Sequence, residues 1–442
     1  MYDVVVCGGG PSGVAAAIAS SRLGANTLLV EKYGFLGGMG TAGLVGPYMP
    51  YHSGNEQIIT GIFKEICDHM ISQGKMIGPI FDAEAYKWAA QDLCIKSEVK
   101  LLLHSVLTES IVNGKRIESI RTFSKSGYRE DKSKTFVDTT GDADLAFLSG
   151  VPFDFGREED GMTQSMTLMF SVGGVDLDKV FEYMKIHPGE FFDWCNEDRF
   201  DYKKTGIMGA AGFNSYMKKA HEDGSLPRHV QILFFNTLPR KGEVLFNTTN
   251  VVCSNPLSVD DLTMAEIEAR RQVQVIMELL KDCPGFENAY LIQTAPQIGV
   301  RASRRIRGLY TFTGDDVNSG RKFDDVIARG SYGIDIHDPK GDDLEYDELP
   351  RGFSYDIPFR SLLPVNIENL AVAGRCISSD HKGQSAMRIQ PICAAVGESA
   401  GTAAAISALE EVPLPNLDIL ELQKQLIKQG MNLGKRIEDK FK

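Results

Sequence analysis

The first thirty residues after the initial methionine, Tyr2 to Glu31, read YDVVVCGGGPSGVAAAIASSRLGANTLLVE. Val4, Val5 and Val6 form an apolar run suited to a buried parallel strand. Gly8, Gly10 and Gly13 follow in GxGxxG spacing. Val14 to Leu23 is alanine-rich and helical, Gly24 can close the helix, and Thr27 to Val30 reads as a second strand that ends at Glu31. This order predicts a strand–turn–helix–strand unit that binds a dinucleotide. Gly8 allows the tight turn, Gly10 lets the backbone approach a diphosphate, and Gly13 lets the helix pack closely on the strand. The free N–H groups of the helix start then face the phosphates. Glu31 is placed to accept both ribose hydroxyls, and its charge disfavours a 2′-phosphate.

A chain of 442 residues exceeds one hydrophobic core, so two domains are expected. The net charge of −12, without a basic run, argues against nucleic acid and anionic membrane as partners. A strand starting at Tyr2 leaves no room for a signal peptide, and no apolar run reads as long enough to span a bilayer. The expected location is cytoplasmic. The eight cysteines include no CxxC pair, which weighs against a redox dithiol, an iron–sulfur cluster or a structural zinc site. Most are expected to be reduced core residues, with Cys376 and Cys393 flanking a segment that looks functional.

Ile58 to Gln73 and Ala83 to Lys96 are predicted as amphipathic helices. Val99 to Val112, Lys115 to Phe123 (after the Asn113-Gly114 turn) and Lys134 to Val137 (after a charged turn) predict a three-stranded meander. From Val151 the parallel-sheet pattern fades, and alternating strands are expected at Ser165–Val172, His229–Leu238 and Glu243–Thr249. Thr263 to Cys283 reads as a long helix opened by a Thr263/Glu266 capping box and stopped by Pro284-Gly285. Asn369 to Ala373 predicts another buried strand, and Pro391 to Leu409 a helix rich in alanine and glycine. The fold class expected is α/β: a Rossmann-like dinucleotide-binding domain from 1–150 and 351–442, with a mixed α+β substrate domain, 151–350, inserted.

Three further segments point to a flavin. After Glu31, Gly37, Gly38 and Gly40 remove side chains where the backbone would run beside a flat ring, and Thr41 adds a hydroxyl. Val137 to Asp144, VDTTGDAD, places Gly141 at the carboxyl edge of the sheet, with Asp142 expected to cap a short helix through Ser149. From Asn369, a buried strand ends at Gly374-Arg375, a polar loop crosses the site, and Pro391 opens a helix whose N-terminus would face the N1–C2=O edge of the ring and stabilise reduced flavin.

With these pieces the chain resembles the FAD-dependent oxidoreductase family of the two-dinucleotide-binding-domain, or glutathione-reductase-like, flavoproteins. The resemblance is carried by the GxGxxG unit with Glu31, GFLGGMGTAGLV, VDTTGDADLA, VRASRRIRGLY and DIPFRSLLP…NLAVAGRCISSDHKGQSAMRIQP. It implies non-covalent FAD, held at Gly8, Gly10, Pro11, Ser12, Gly13, Glu31, Lys32, Gly38, Met39, Thr41, Gly141, Asp142, Gly374, Arg375, Pro391 and Ile392. Relatives often carry Gly-Asp where this chain has Gly374-Arg375, and Asp380 is the candidate substitute as ribityl ligand. The missing cysteine pair and missing second GxGxxG argue against disulfide reductase activity.

For the chemistry, His381 is the candidate acid/base, since imidazole titrates near neutrality. Arg388 is a candidate clamp for a carboxylate or a stabiliser of enolate-like charge. Arg301, Arg304, Arg305 and Arg307 form a second basic cluster. Arg301 is its first choice for the site, and the others are expected to pair with Asp315, Asp316, Asp324 and Asp325. Arg301 and Arg305, four apart, would share a helix face. His52 is a weaker candidate, His337 in DIHDP reads as a structural turn residue, and no metal is expected. The reading is an FAD enzyme passing a hydride between flavin N5 and a small, anionic organic substrate. The electron acceptor is unread and a homo-oligomer is left open. A flavin-binding sensor and an NAD-linked dehydrogenase are the alternatives.

Overall fold

In the computed structural model, which describes residues 1–196, 202–341 and 344–441, the N-terminal unit forms as its spacing requires. Strand β1 (Tyr2–Cys7) leads into helix α1 (Pro11–Arg22) and returns as β2 (Thr27–Val30), which pairs with β1 in parallel from Val4↔Thr27 to Cys7↔Val30. Helix α2 (Gly61–Ser72) and helix α3 (Ala83–Lys96) follow; the Asp82 carboxylate caps α3 by accepting from the Glu84 and Ala85 amides. Strand β3 (Lys100–Leu102) extends the sheet beside β2.

The meander is β4 (Val106–Asn113), β5 (Arg116–Ser124) and β6 (Gly127–Asp138). The charged residues before Lys134 are strand, not turn. Gly127–Lys132 pairs antiparallel with β5, and Ser133–Asp138 then pairs parallel with β1. Extended backbone asks only for ladder partners, and the charges here point outward or pair locally, as Arg121 with Glu130 and Arg129 with Asp131. A short helix, α4 (Asp144–Leu148), closes this part.

The middle of the chain builds β7 (Phe153–Phe155) and an antiparallel sheet of β8 (Phe170–Gly173), β9 (Gly209–Gly212), β10 (Leu233–Thr237), β11 (Val244–Phe246) and β12 (Tyr290–Thr294), in the order β9-β10-β11-β8-β12. Helix α5 (Val259–Leu280) buries Ala265, Ala269, Val273, Ile276 and Leu280 in the same core as Phe170, Phe235 and Phe246. It starts four residues before Thr263. Its cap is Ser258, whose hydroxyl accepts from the Asp261 amide, while the Thr263 hydroxyl donates to the Val259 carbonyl. Strand β13 (Arg304–Ile306) pairs with β7, so the arginine cluster is coil and strand, the alternating one of the two spacings open to it, and Arg301 and Arg305 share no helix face.

Then come β14 (Val326–Gly330), β15 (Asp335–His337), β16 (Leu344–Tyr346) and β17 (Tyr355–Pro358), in two antiparallel pairs: β14 with β17, and β15 with β16. Strand β18 (Leu370–Val372) joins β6 in parallel, and α6 (His381–Met387) and α7 (Gln390–Glu410) follow. Helix α7 lies against α1 through Gly397 and Gly401: a Cβ on either would sit 2.1 Å from the Ser12 or Ala16 carbonyl oxygen. One hydrophobic core therefore draws on α1, on α7 and on apolar side chains from Phe312 to Ile357, while the middle sheet has its own. Contrary to expectation, one helix among the described residues is apolar and long enough to cross a membrane. It is α7, and 89% of that stretch is buried inside the protein. Its apolarity serves the contact with α1 and the sheet.

Candidate functional site

The parallel strands deliver the glycine turns to one edge. The Gly8 amide donates to the Val30 carbonyl (2.8 Å), and the Thr139 hydroxyl donates to the Gly8 carbonyl (2.7 Å), tying the ends of β1, β2 and β6 together. A Cβ on Gly13 would lie 1.7 Å from the Gly8 oxygen, so only glycine lets α1 start here. Helix α1 opens with Gly10 as N-cap, has no capping side chain, and carries Pro11 in its first turn. Buried Glu31 takes the Gly9 amide on Oε2 (2.6 Å) and the Tyr33 amide on Oε1 (2.9 Å), which fixes its carboxylate beside the turn. Lys32 leaves the turn, its Nζ 5.2 Å from the Tyr33 ring centroid.

The second glycine loop folds onto the first. The Gly37 amide donates to the Gly9 carbonyl (2.8 Å), and a Cβ on Gly38 would meet the Gly10 Cα at 2.7 Å. Met39 holds the loop by accepting from the Val45 amide at 2.8 Å. Thr41 is fully buried and spends its hydroxyl proton on the Leu36 carbonyl (2.8 Å), so it braces the loop. From the C-terminal half, Gly374 stands over Ser12, whose hydroxyl donates to the Cys393 carbonyl at 2.8 Å. Pro391 and Ile392 form the first turn of α7, which also lacks a capping side chain. Gln390 Nε2 donates to the Val45 carbonyl (2.7 Å) and joins this turn to the glycine loop.

Asp142 does not cap α4; the N-cap is Ala143, without a side-chain bond. Asp142 instead receives Arg375 Nη2 (2.6 Å) and the Ser303 hydroxyl (2.5 Å). Burial would raise its pKa, but the Arg375 charge, the Ser303 and Arg375 hydrogen bonds and the Lys32 charge together hold it below the usual carboxylate range. Arg375 packs over Gly141, where a Cβ would approach the guanidinium to 3.1 Å. Asp380 caps α6 through the Gly383 amide (2.5 Å) and accepts from the Gly314 amide (3.1 Å), which commits both its oxygens to the fold.

The candidate catalytic residues divide. Arg388, at the end of α6, donates Nη2 to the Asp335 carboxylate (3.1 Å) and carbonyl (3.2 Å). Tyr332 donates its hydroxyl to the same carboxylate at 2.8 Å. Arg301 reaches this cluster from the loop before β13 and donates Nη1 to the Ser165 carbonyl (2.6 Å). Burial and then the Arg388 charge pull its pKa down to about 10, with Asp335 opposing. Burial would raise the Asp335 pKa, but Arg388 and then His337 hold it low. His337, taken from sequence as a turn residue, belongs here: its Nε2 lies 3.6 Å from Asp335 Oδ1. Gln164 accepts from the His337 amide (3.2 Å) and leaves its buried Nε2 without a partner.

His381 is elsewhere. It opens α6, both its ring nitrogens are buried without partners, and burial followed by Arg305 and Arg157 pulls its pKa to about 4. The other arginines also differ from expectation. Arg304 pairs with Asp144 (3.0 Å) and Arg307 with Asp154 (2.8 Å), while Arg305 donates to the Ser379 and Gly156 carbonyls. Asp316, Asp324 and Asp325 are taken by Arg321, Arg436 and Arg360. His52 sits exposed on a short hairpin. Asp335 and Asp338 face Arg388 and Arg157, and no group of three metal-ligating side chains occurs among the described residues. Tyr332, Asp335 and Gln164 were missed from sequence. The alternation of Asp335 and His337 along DIHDP was the available signal.

The first site fits FAD. A Cβ on Gly10 would meet nothing nearer than the Gly38 Cα, 3.8 Å away, so the turn is open where a diphosphate must approach. Helices α1 and α7 both start without a capping side chain, which leaves amides free for a diphosphate, and Glu31 would stand beside a ribose. Buried Gln390 Oε1, Arg375 Nε and Gln384 Oε1 have no hydrogen-bond partner among the described residues. Thirty-seven residues are 62% identical to dihydrolipoyl dehydrogenase of Trypanosoma brucei brucei, a match spanning only 8% of either chain. Among solved structures, a geranylgeranyl bacteriochlorophyll reductase-like protein from Thermoplasma acidophilum is similar in fold, with a TM-score of 0.50 and 13% identity over 98% of this chain and 84% of that one. A flavin-dependent brominase gives a TM-score of 0.49 at 13% identity, over 97% and 84% of the two chains. The model of the FAD dependent oxidoreductase family matches residues 3–426. The chain belongs to that family, and its cofactor is FAD.

Proposed function

We propose that the protein passes a hydride between flavin N5 and a small organic substrate bearing a carboxylate, with Arg301 and Arg388 holding the anion. One observation carries the reading: of two sheltered guanidiniums that feel each other's charge, Arg388 is paired with Asp335, while Arg301 has a backbone carbonyl and no carboxylate partner among the described residues. An arriving carboxylate gains charge-assisted donors and relieves the repulsion between the two arginines. A planar guanidinium fork suits a carboxylate better than a point charge would.

Bound FAD supplies a two-electron acceptor or donor. The chain supplies position and charge. Asp335 and Tyr332 hold Arg388 in place, Ser165 holds Arg301, and the positive end of the α7 dipole lies at Gln390–Ile392. Residues 151–350 serve as the substrate domain, since they bring Gln164, Arg301 and His337 to Arg388 of the FAD-binding part. The joined GxGxxG unit, Glu31 and meander support a place in the glutathione-reductase-like superfamily. A separate molecule serves as electron acceptor. R301M strands no carboxylate and tests the reading: the KM for an acid substrate should rise roughly 10- to 150-fold with the yellow colour retained. An unchanged KM refutes it.

A further inference from the structure

We propose that His337, in place of His381, exchanges the proton with the substrate; the assignment rests on the reading that Arg301 and Arg388 hold a carboxylate. Strand β15 sets Asp335 and His337 two residues apart, on one face, with Ile336 turned into the core between them. That face is paired with Arg388 from the end of α6, and the charge of Arg301, on the loop before β13, acts on it. Gln164 pins the strand through the His337 amide. The imidazole makes no hydrogen bond of its own among the described residues, and its side chain is 32% exposed, so a molecule held on the arginines has access to it. His381 differs on each point. Its ring nitrogens are closed off, and its cationic neighbours are Arg305 and Arg157.

The surrounding charges suit the role. Burial and then Arg301 keep the His337 ring neutral, with a pKa of about 3; Asp335 pulls the other way and Arg388 adds to Arg301. A neutral ring can accept a proton. A carboxylate seated on Arg301 cancels the charge that most opposes protonation after burial itself, so the base strengthens as substrate binds. In oxidation, the substrate C–H bond breaks and its electron pair leaves as hydride to FAD. The adjacent O–H or N–H bond breaks with its proton going to a His337 ring nitrogen, and the C=O or C=N bond forms. The imidazolium then releases its proton to solvent. Reduction runs the same exchange backwards.

The test mixes holoenzyme anaerobically with glycolate, lactate, malate or alanine across pH and follows loss of flavin absorbance, with oxalate as a binding probe that is not oxidised. H337Q should bind oxalate within about threefold of wild type yet bleach at least ~100-fold more slowly. It should also lack the fall in rate at acid pH, and added imidazole should restore part of the rate in H337A. H337N replaces H337Q if the latter does not retain FAD. Wild-type bleaching by H337Q, or loss of the acid limb in H381Q with its retention in H337Q, overturns the assignment and leaves the arginine reading intact. Equal oxalate binding by wild type and R301M, or no bleaching of wild type by any of these acids, overturns that reading and the assignment with it.

Discussion

Alanine at Gly10 and alanine at Gly13 should fail in different ways, although both lie in one motif. Gly10 has φ −74° and ψ −172°, which alanine adopts freely, and its added Cβ would meet only the Gly38 Cα at 3.8 Å, an ordinary contact. The FAD-free G10A protein should therefore be as stable as wild type, or gain about 0.4–1 kcal/mol from a less flexible unfolded chain. The same methyl stands where the diphosphate must approach. A steric cost of about 1–3 kcal/mol there weakens FAD binding roughly 5- to 150-fold. At Gly13 the Cβ would lie 1.7 Å from the Gly8 oxygen and 2.7 Å from Thr139 Oγ1. Most of that obstacle is backbone, and α1 is clamped on its other side by α7 through Gly397 and Gly401. G13A should thus destabilise the FAD-free protein itself, by more than about 3 kcal/mol. Urea unfolding of the two FAD-free variants, with FAD affinity from fluorescence quenching, separates the effects. Wild-type FAD affinity in G10A, or wild-type stability in FAD-free G13A, would refute the reasoning.

Three other variants probe the frame around the site. Burial lifts the Glu398 carboxyl to about 8, above its ordinary 4.5, despite the Ile62 amide on Oε2; folding then favours the protonated form, so stability is full below about pH 4.5 and falls as pH rises through 8. E398Q should flatten that decline in melting temperature measured from pH 5 to 8.5, and an equal decline in both proteins would contradict it. R375M leaves Asp142, a quarter exposed, with the Ser303 hydroxyl but without its ion-pair partner, which should cost about 1–3 kcal/mol in urea unfolding, most of it recovered in R375M/D142N. S258A removes the cap of α5 and should cost about 1 kcal/mol, whereas T263A should cost less, as its hydroxyl only bonds back within the helix.

The dinucleotide unit was legible because its information is local: glycine spacing, an apolar strand and a terminal acid all fall within one stretch of chain. Helix α3 was readable to its ends for the same reason, and the structure adds Asp82 as its cap. Strand β6 was under-read because its charged residues look like a turn, yet only the pairing with β5 decides that they are strand. The cap of α5 was placed at Thr263 because Thr263 and Glu266 have capping-box spacing; Ser258, five residues earlier, wins by taking the Asp261 amide. The arginine partners were not legible at all. Arg304 finds Asp144 and Arg375 finds Asp142 across more than 150 residues of chain, a matter of tertiary placement. Of the cluster around Asp335, Arg301 and Arg388 were singled out from sequence as charged candidates, while His337 and Asp335 looked like a loop until β15 turned them to one side.

We propose that a carboxylate on the substrate is what Arg301 and Arg388 recognise beside the flavin. Anaerobic reduction of the yellow holoenzyme by a 2-hydroxy acid and by its methyl ester, which differ only in that charge, tests it directly. The acid should bleach the flavin at a half-saturating concentration roughly 10- to 150-fold lower than the ester, and R301M should narrow the gap. Equal saturation by acid and ester, or a preparation that stays colourless with added FAD, would contradict it.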